Sequence, residues 1–169
     1  MAFIRTKKIK GNEYAYIVEN KWKKKGAKQK SKKYLGRVYR FDRANMMDFF
    51  EHFEINDLGK YLGERGKQDI LLDLVRLELY NHGFDEEKGI WSNGEVNFDE
   101  KTMKLQNSKG KDVAISLNDG YLTGYSLRKI LRFRAFDEEE GYDFAKMFIE
   151  AGIAVPKDVF AGMFMKILE

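Results

Sequence analysis

Residues 1–40 hold 14 Lys and Arg against only two acids, Glu13 and Glu19, a net charge of +12. The rest of the chain carries 17 basic and 25 acidic groups, a net of −8. So dense a run of cations repels itself unless an anion is bound, and it attracts phosphate backbones or anionic surfaces. The asymmetry predicts two parts with different tasks, a basic segment over 1–41 and an acidic body over 42–169.

Within the basic segment the side chains alternate with period two. Residues 3–9 predict a first strand, and Lys10-Gly11-Asn12 a turn. Over 13–22, Tyr14, Tyr16, Val18 and Trp22 fall on one side of the pleat, with Ala15, Ile17, Glu19 and Lys21 on the other. Lys23-Lys24-Lys25-Gly26 reads as a charged loop. Residues 29–39 return as a third strand, placing Lys30, Lys32, Tyr34 and Val38 on one face and Ser31, Lys33, Leu35, Arg37 and Tyr39 on the other. A lone three-stranded meander is marginal, so one face is expected to pack on the rest of the chain or on a partner.

Beyond residue 41 the period turns helical. Asp42 is placed as an N-cap ahead of a stripe of Met46, Met47, Phe49, Phe50 and Phe53. A short helix is read over 55–62. Residues 68–82, apolar around most of the circumference, form the expected central core helix, stopped by Gly83. Short extended runs at 96–98, 103–106 and 113–117, separated by Ser92-Asn93-Gly94, Ser108-Lys109-Gly110 and Asn118-Asp119-Gly120, predict a small antiparallel hairpin sheet at about 90–120. Helices at 126–133, 142–151 and 156–168 close the chain, the last two as a helical hairpin. The fold class is therefore α+β: a three-stranded antiparallel meander, a mainly helical body, a short hairpin sheet and a C-terminal helical hairpin.

Phe3-Ile4-Arg5 with its following lysines, the run Glu13-Tyr14-Ala15-Tyr16-Ile17-Val18-Glu19, and Gln29-Lys30 leading to Lys33-Tyr34-Leu35-Gly36-Arg37 carry a resemblance. Together they resemble the N-terminal basic β segment of IS1634-like (IS4-superfamily) transposases, and are similar to small uncharacterised archaeal proteins with the same opening. In those transposases the segment precedes a DNA-cleaving domain and is taken to hold DNA. The resemblance spans about a quarter of the chain. It implies polyanion binding by Arg5, Lys7, Lys8, Tyr14, Tyr16, Lys30, Lys33, Tyr34 and Arg37, and an archaeal source. The remaining 130 or so residues are too few for the ribonuclease H-like core and lack a spaced acidic triad, so cleavage chemistry is not carried over.

Nucleic-acid binding needs cations against phosphates and, for single strands, flat side chains on which bases stack. The segment supplies both. The expected interface comprises Arg5, Lys7, Lys8, Lys10, Tyr14, Tyr16, Trp22, Lys23, Lys24, Lys25, Lys28, Lys30, Lys32, Lys33, Tyr34, Arg37 and Arg40. The opposing view makes the aromatics a face packed on the body and the lysines an edge-protecting surface.

Other chemistry is poorly represented. The chain has no cysteine, which excludes disulfides and thiolate zinc sites. Asp85-Glu86-Glu87 and Asp137-Glu138-Glu139-Glu140 lack the alternation of a calcium loop. Glu78 and His82, four apart on one helix, read as a local side-chain contact. Gly59, Gly63 and Gly66-Lys67 fail the phosphate-loop pattern, with Tyr61 where glycine and Gln68 where Ser or Thr would stand. No nucleophile elbow occurs. No catalytic residues, metal or cofactor are therefore expected. No stretch reaches the roughly 18 apolar residues of a membrane span, and the start turns basic too early for a secretory signal, so a cytoplasmic location is expected. The reading is a non-catalytic binder of DNA or RNA with low sequence specificity. The alternative is an assembly module whose basic arm docks on an acidic partner or on the chain's own body. A protein partner or a second copy on the C-terminal hairpin is a further expectation.

Overall fold

The alternating pattern of the basic segment produces three long strands, β1 (Ala2–Ile9), β2 (Asn12–Lys23) and β3 (Gly26–Arg40), in the computed structural model, which describes residues 2–168. Lys10 and Gly11, both at positive φ, make the tight turn between the first two, the geometry that matches the twist of a hairpin. The three strands form an antiparallel meander.

Strand β3 breaks the strict alternation read from the sequence. Leu35 and Lys32 are each an extra residue opposite β2, so pairing steps from Ala15–Gly36 to Tyr16–Tyr34, and from Ile17–Lys33 to Val18–Ser31. Each bulge shifts the phase of the side chains. Leu35 and Val38, expected on opposite faces, are consequently both buried against Ala15, Ile17 and Ala114. Lys33 sits in register with Ile17 and Lys30 with Glu19, so these two lysines share a face rather than opposing each other.

The run at 113–117 does not join the small sheet. As β8 (Val113–Leu117) it lies parallel to β3, Arg37 to Val113 through Arg40 to Ser116, and β9 (Gly120–Leu122) completes a five-stranded sheet in the order β1-β2-β3-β8-β9. Gly36 permits the join. Its φ is +119°, and a Cβ there would overlap the carbonyl oxygen of Asp112. The small sheet is instead a separate meander of β4 (Asp85–Glu87), β5 (Ile90–Ser92), β6 (Val96–Asp99) and β7 (Lys104–Asn107).

The helix expected from Asp42 is also corrected. Residues 41–48 are irregular, because this stretch is tied to the end of the central helix: Ala44 N and Asn45 N donate to Asn81 O, and Met47 N donates to Asn81 Oδ1. A single turn, α1 (Phe49–His52), starts only at its cap Asp48. Helix α2 (Leu58–Glu64) is capped by Asp57, and α3 (Lys67–Asn81) is the central helix, with Ile70, Leu71, Leu74, Val75 and Leu79 buried. Asp73, 1% exposed on α3, accepts from Tyr61 Oη at 2.7 Å and pairs with Arg65 and Arg76. Arg76 reaches on to Glu100, which also accepts from Trp91 Nε1 at 2.8 Å, binding α2, α3 and the small sheet together. A buried carboxylate is tolerated only when satisfied in this way.

Helices α4 (Gly124–Arg132), α5 (Gly141–Glu150) and α6 (Lys157–Ile167) complete the body. The hairpin of α5 and α6 turns Phe144, Phe148, Val159, Met163, Phe164 and Ile167 into the main core, while Ile149 and Met165 stay exposed.

Replacing Gly36 with Ala adds both a disfavoured backbone conformation and an overlap at the β3–β8 junction. The variant is expected to lose about 3 kcal/mol of stability in urea denaturation. A loss below about 1 kcal/mol would show that the junction yields.

Candidate nucleic-acid interface

Register places the charged and aromatic residues of the meander in rows. Residues directly opposite in neighbouring strands share a face. Arg5, Tyr16 and Tyr34 form one such row, and Lys7, Tyr14 and Arg37 the next. The tyrosines touch: Tyr16 and Tyr34 have ring centroids 5.2 Å apart, and Tyr14 and Tyr34 lie 6.3 Å apart. Lys7 Nζ stands 5.3 Å from the Tyr16 ring, and Arg5 donates to Gln29. Tyr34 is 53% exposed, and Trp22, near the hairpin tip, is 85% exposed. The small apolar cluster of Ala15, Ile17, Leu35 and Val38 occupies the opposite face, with Tyr125 packed against it. The aromatics of 1–40 are thus divided: Tyr39 packs against the main core, whereas Tyr14, Tyr16 and Tyr34 form a half-open surface cluster.

The phenol of Tyr34 is raised above its ordinary pKa by burial and then by the neighbouring Tyr16 and Tyr14. Among the cations, Arg40 is committed to Glu13 through both carboxylate oxygens at 2.9 Å, and also bonds Ser116. Lys32 pairs with Glu19 at 2.9 Å, and its hydrogen bond holds the Glu19 carboxyl below the usual range. Among the described residues Lys7, Lys8, Lys10, Lys21, Lys23, Lys24, Lys25, Lys28, Lys30 and Lys33 enter no ion pair. Lys23, Lys24, Lys25 and Lys28 are exposed around the β2–β3 tip. The sites read from the sequence therefore come together as a tyrosine face and a lysine-rich tip. Arg40 and Lys32 are drawn into internal pairs, and Lys33 is turned to the opposite face.

Beside Lys33, α4 presents cations that the sequence reading missed. Arg128 and Arg132 stand one turn apart, and Lys104 lies across from Arg128. They belong to a half of the chain whose net charge is negative, so composition hides them. Tyr125, Arg128 and Arg132 at i, i+3 and i+7 were the one available signal, a basic stripe on an amphipathic helix.

The acidic clusters are used locally. Glu86 accepts from Gly89 N at 2.7 Å in the β4–β5 turn, and Asp137 caps the 3₁₀ turn Glu138–Glu140. Glu78 accepts from Asn118 Nδ2 and Ala154 N, while the Nδ1 of His82 lies 2.7 Å from the Glu78 carbonyl oxygen. Among the described residues no group of three His, Asp or Glu is arranged to hold a metal ion. Among them, too, no helix is long and apolar enough to cross a membrane. The chain matches no protein-family model, no curated protein and no solved structure.

Helix α4 is held at its end by Lys67, whose Nζ donates to the carbonyls of Leu131 and Phe133 at 2.8 Å. Burial, and then Arg134, lower the Lys67 pKa from 10.5 to about 8. Between those values the unfolded chain binds the proton that the folded chain has released, so this group's contribution to stability rises with pH. The difference in urea midpoint between the wild type and Lys67→Met is expected to shift in favour of the wild type from about pH 8 towards 10.5. A difference that stays flat across that window would remove the lowered pKa from the account.

Proposed function

We propose that the protein binds DNA or RNA without catalysis and with low sequence specificity, through the tyrosine face and lysine-rich tip of the N-terminal meander. The observation that carries this reading is the cluster of Tyr14, Tyr16 and Tyr34, left half-open to solvent and bordered by Arg5, Lys7 and Arg37. Neutral aromatic rings in reach of solvent offer bases a stacking surface, and unpaired cations next to them neutralise phosphates. The lysine excess favours phosphate contact over the reading of base edges, for which arginine's planar fork is better suited. The resemblance of residues 3–37 to the transposase segment that is taken to hold DNA points the same way.

Fluorescence anisotropy with labelled single-stranded DNA, single-stranded RNA and duplex DNA over a salt series tests the reading. With about six phosphates contacted on a single strand, log K is expected to fall against log salt with a slope near −4. Converting the tip lysines Lys23, Lys24, Lys25 and Lys28 to Gln should flatten that slope and collapse binding at physiological salt. Tyr16→Ala with Tyr34→Ala should cost about 1–3 kcal/mol per lost stack on a single strand, and much less on a duplex. Absence of binding at low salt would overturn the proposal. Tight binding to one selected sequence alone would overturn its low specificity.

A further inference from the structure

Among the described residues strand β3 is paired on its second side only from Arg37 onwards, and residues 26–35 pair with β2 alone. Their other edge is open, and at residues 33–35 it borders a cleft of about 250 Å³ between β3, β7 and the start of α4. Three cations line this cleft, Lys33, Lys104 and Arg128, and none of them is in an ion pair among the described residues. Its single carboxylate, Asp112, is engaged by Gln106 Nε2 at 3.2 Å. Lys33, Tyr125 and Arg128 also line an adjoining, more open depression that runs along α4 past Arg132 to Phe133. Among the described residues no carboxylate lines that depression, and of its four cations only Lys129 is paired, with Glu150 at 3.1 Å. The Arg128 guanidinium lies over Gly124, where a Cβ would approach its Nη1 to 3.0 Å. A bare backbone thus lets the guanidinium lie close over the start of the helix.

The two depressions form one trough, and Tyr34 belongs both to its rim and to the tyrosine cluster. A surface that gathers unpaired cations around a narrow cavity disfavours itself electrostatically until an anion enters. We infer that this trough is a second binding element, which takes the phosphodiester backbone of a single strand as it passes from the tyrosine face around the open edge of β3. The inference rests on the nucleic-acid reading above and narrows it. The cations follow one line around a single strand edge and along one helix, a path suited to one sugar-phosphate chain, so the preferred ligand is single-stranded. Lys33 and Arg128 meet the backbone where it leaves Tyr34, and Arg132 meets it one turn further on. Free polyphosphate shares the same chemistry and is the competing occupant.

The test uses Arg128→Gln with Arg132→Gln, which leaves the meander untouched and changes two side chains outside the core, with circular dichroism and thermal melting confirming that the fold is kept. Anisotropy is measured with oligothymidylates of about 4 and about 15 nucleotides, a range that spans the site sizes of single-strand binders, across a salt series, and with duplex DNA. For the longer strand, the loss of two phosphate contacts should lower the magnitude of the salt slope by about 1.4, at ~0.7 per contact on single strands. The shorter strand and the duplex should be nearly unaffected. An unchanged slope for the longer strand, in a protein that does bind it, overturns the trough and leaves the tyrosine face standing. In a parallel arm, inorganic tripolyphosphate is titrated by thermal shift. If the wild type binds no polynucleotide, the nucleic-acid reading fails and the single-strand assignment of the trough fails with it. A tripolyphosphate shift lost in the variant then identifies free polyphosphate as the occupant, and equal or absent shifts in both proteins dismiss any anion site there.

Discussion

The parallel pairing of β3 with β8 is the constraint on which the rest of the arrangement depends. Four register pairs, Arg37 to Val113 through Arg40 to Ser116, attach a strongly basic meander to a body of opposite net charge. The join begins where Gly36 lets the Asp112 carbonyl approach a backbone that has no side chain. Before that point β3 has no neighbour on its second side among the described residues, and beyond Glu19, where the pairing with β1 ends, β2 and β3 project as a two-stranded arm. Had the pairing run further towards the tip, the edge at residues 33–35 would be covered and the cleft beside α4 would not exist.

That geometry also explains why the cations are distributed as they are. A net charge of +12 over forty residues costs self-repulsion, and the fold relieves only a small part of it internally. Glu13 takes Arg40 near the base of the arm, and Glu19 takes Lys32 halfway along. Both pairs sit at points where β3 must be held in register, one next to the β8 join and the other at a bulge. The tip, by contrast, has no acid at all. Exposed lysines along an open edge also discourage pairing with a second strand, so the same residues that favour an anion protect the arm from edge-to-edge association.

Much of the architecture was legible because local pattern and tertiary structure agree. The turn at Lys10-Gly11, the central helix and its stop at Gly83, and the C-terminal hairpin all arise from short-range signals. What failed did so for identifiable reasons. The face assignment of β3 assumed unbroken alternation, and two extra residues at Leu35 and Lys32 shifted it twice. Gly36, read as an ordinary strand position, was the visible mark of the first shift. The segment after Asp42 has helical spacing but is claimed by Asn81, whose side chain and carbonyl together satisfy backbone groups at 44, 45 and 47. No periodicity in a single stretch could reveal a partner 34 residues away.

The candidate site was legible by the same division. Tyr14, Tyr16 and Tyr34 could be named from composition, but whether they served a core or a surface depended on which face the body covers. Among the described residues the body's main core reaches this face of the sheet at Tyr39, β8 and Leu122 of β9; the small cluster of Ala15, Ile17, Leu35 and Val38 occupies the other. Once the apolar demand of the sheet is met there, three phenols at ring distances of 5.2 and 6.3 Å remain on a half-open surface. Aromatic side chains left half in solvent give up burial worth about 1 kcal/mol or more apiece. In a protein that encloses Phe84, Phe98 and Phe144, this cluster is the part of the sheet's aromatic surface that the fold itself leaves partly open, beside cations that enter no ion pair among the described residues.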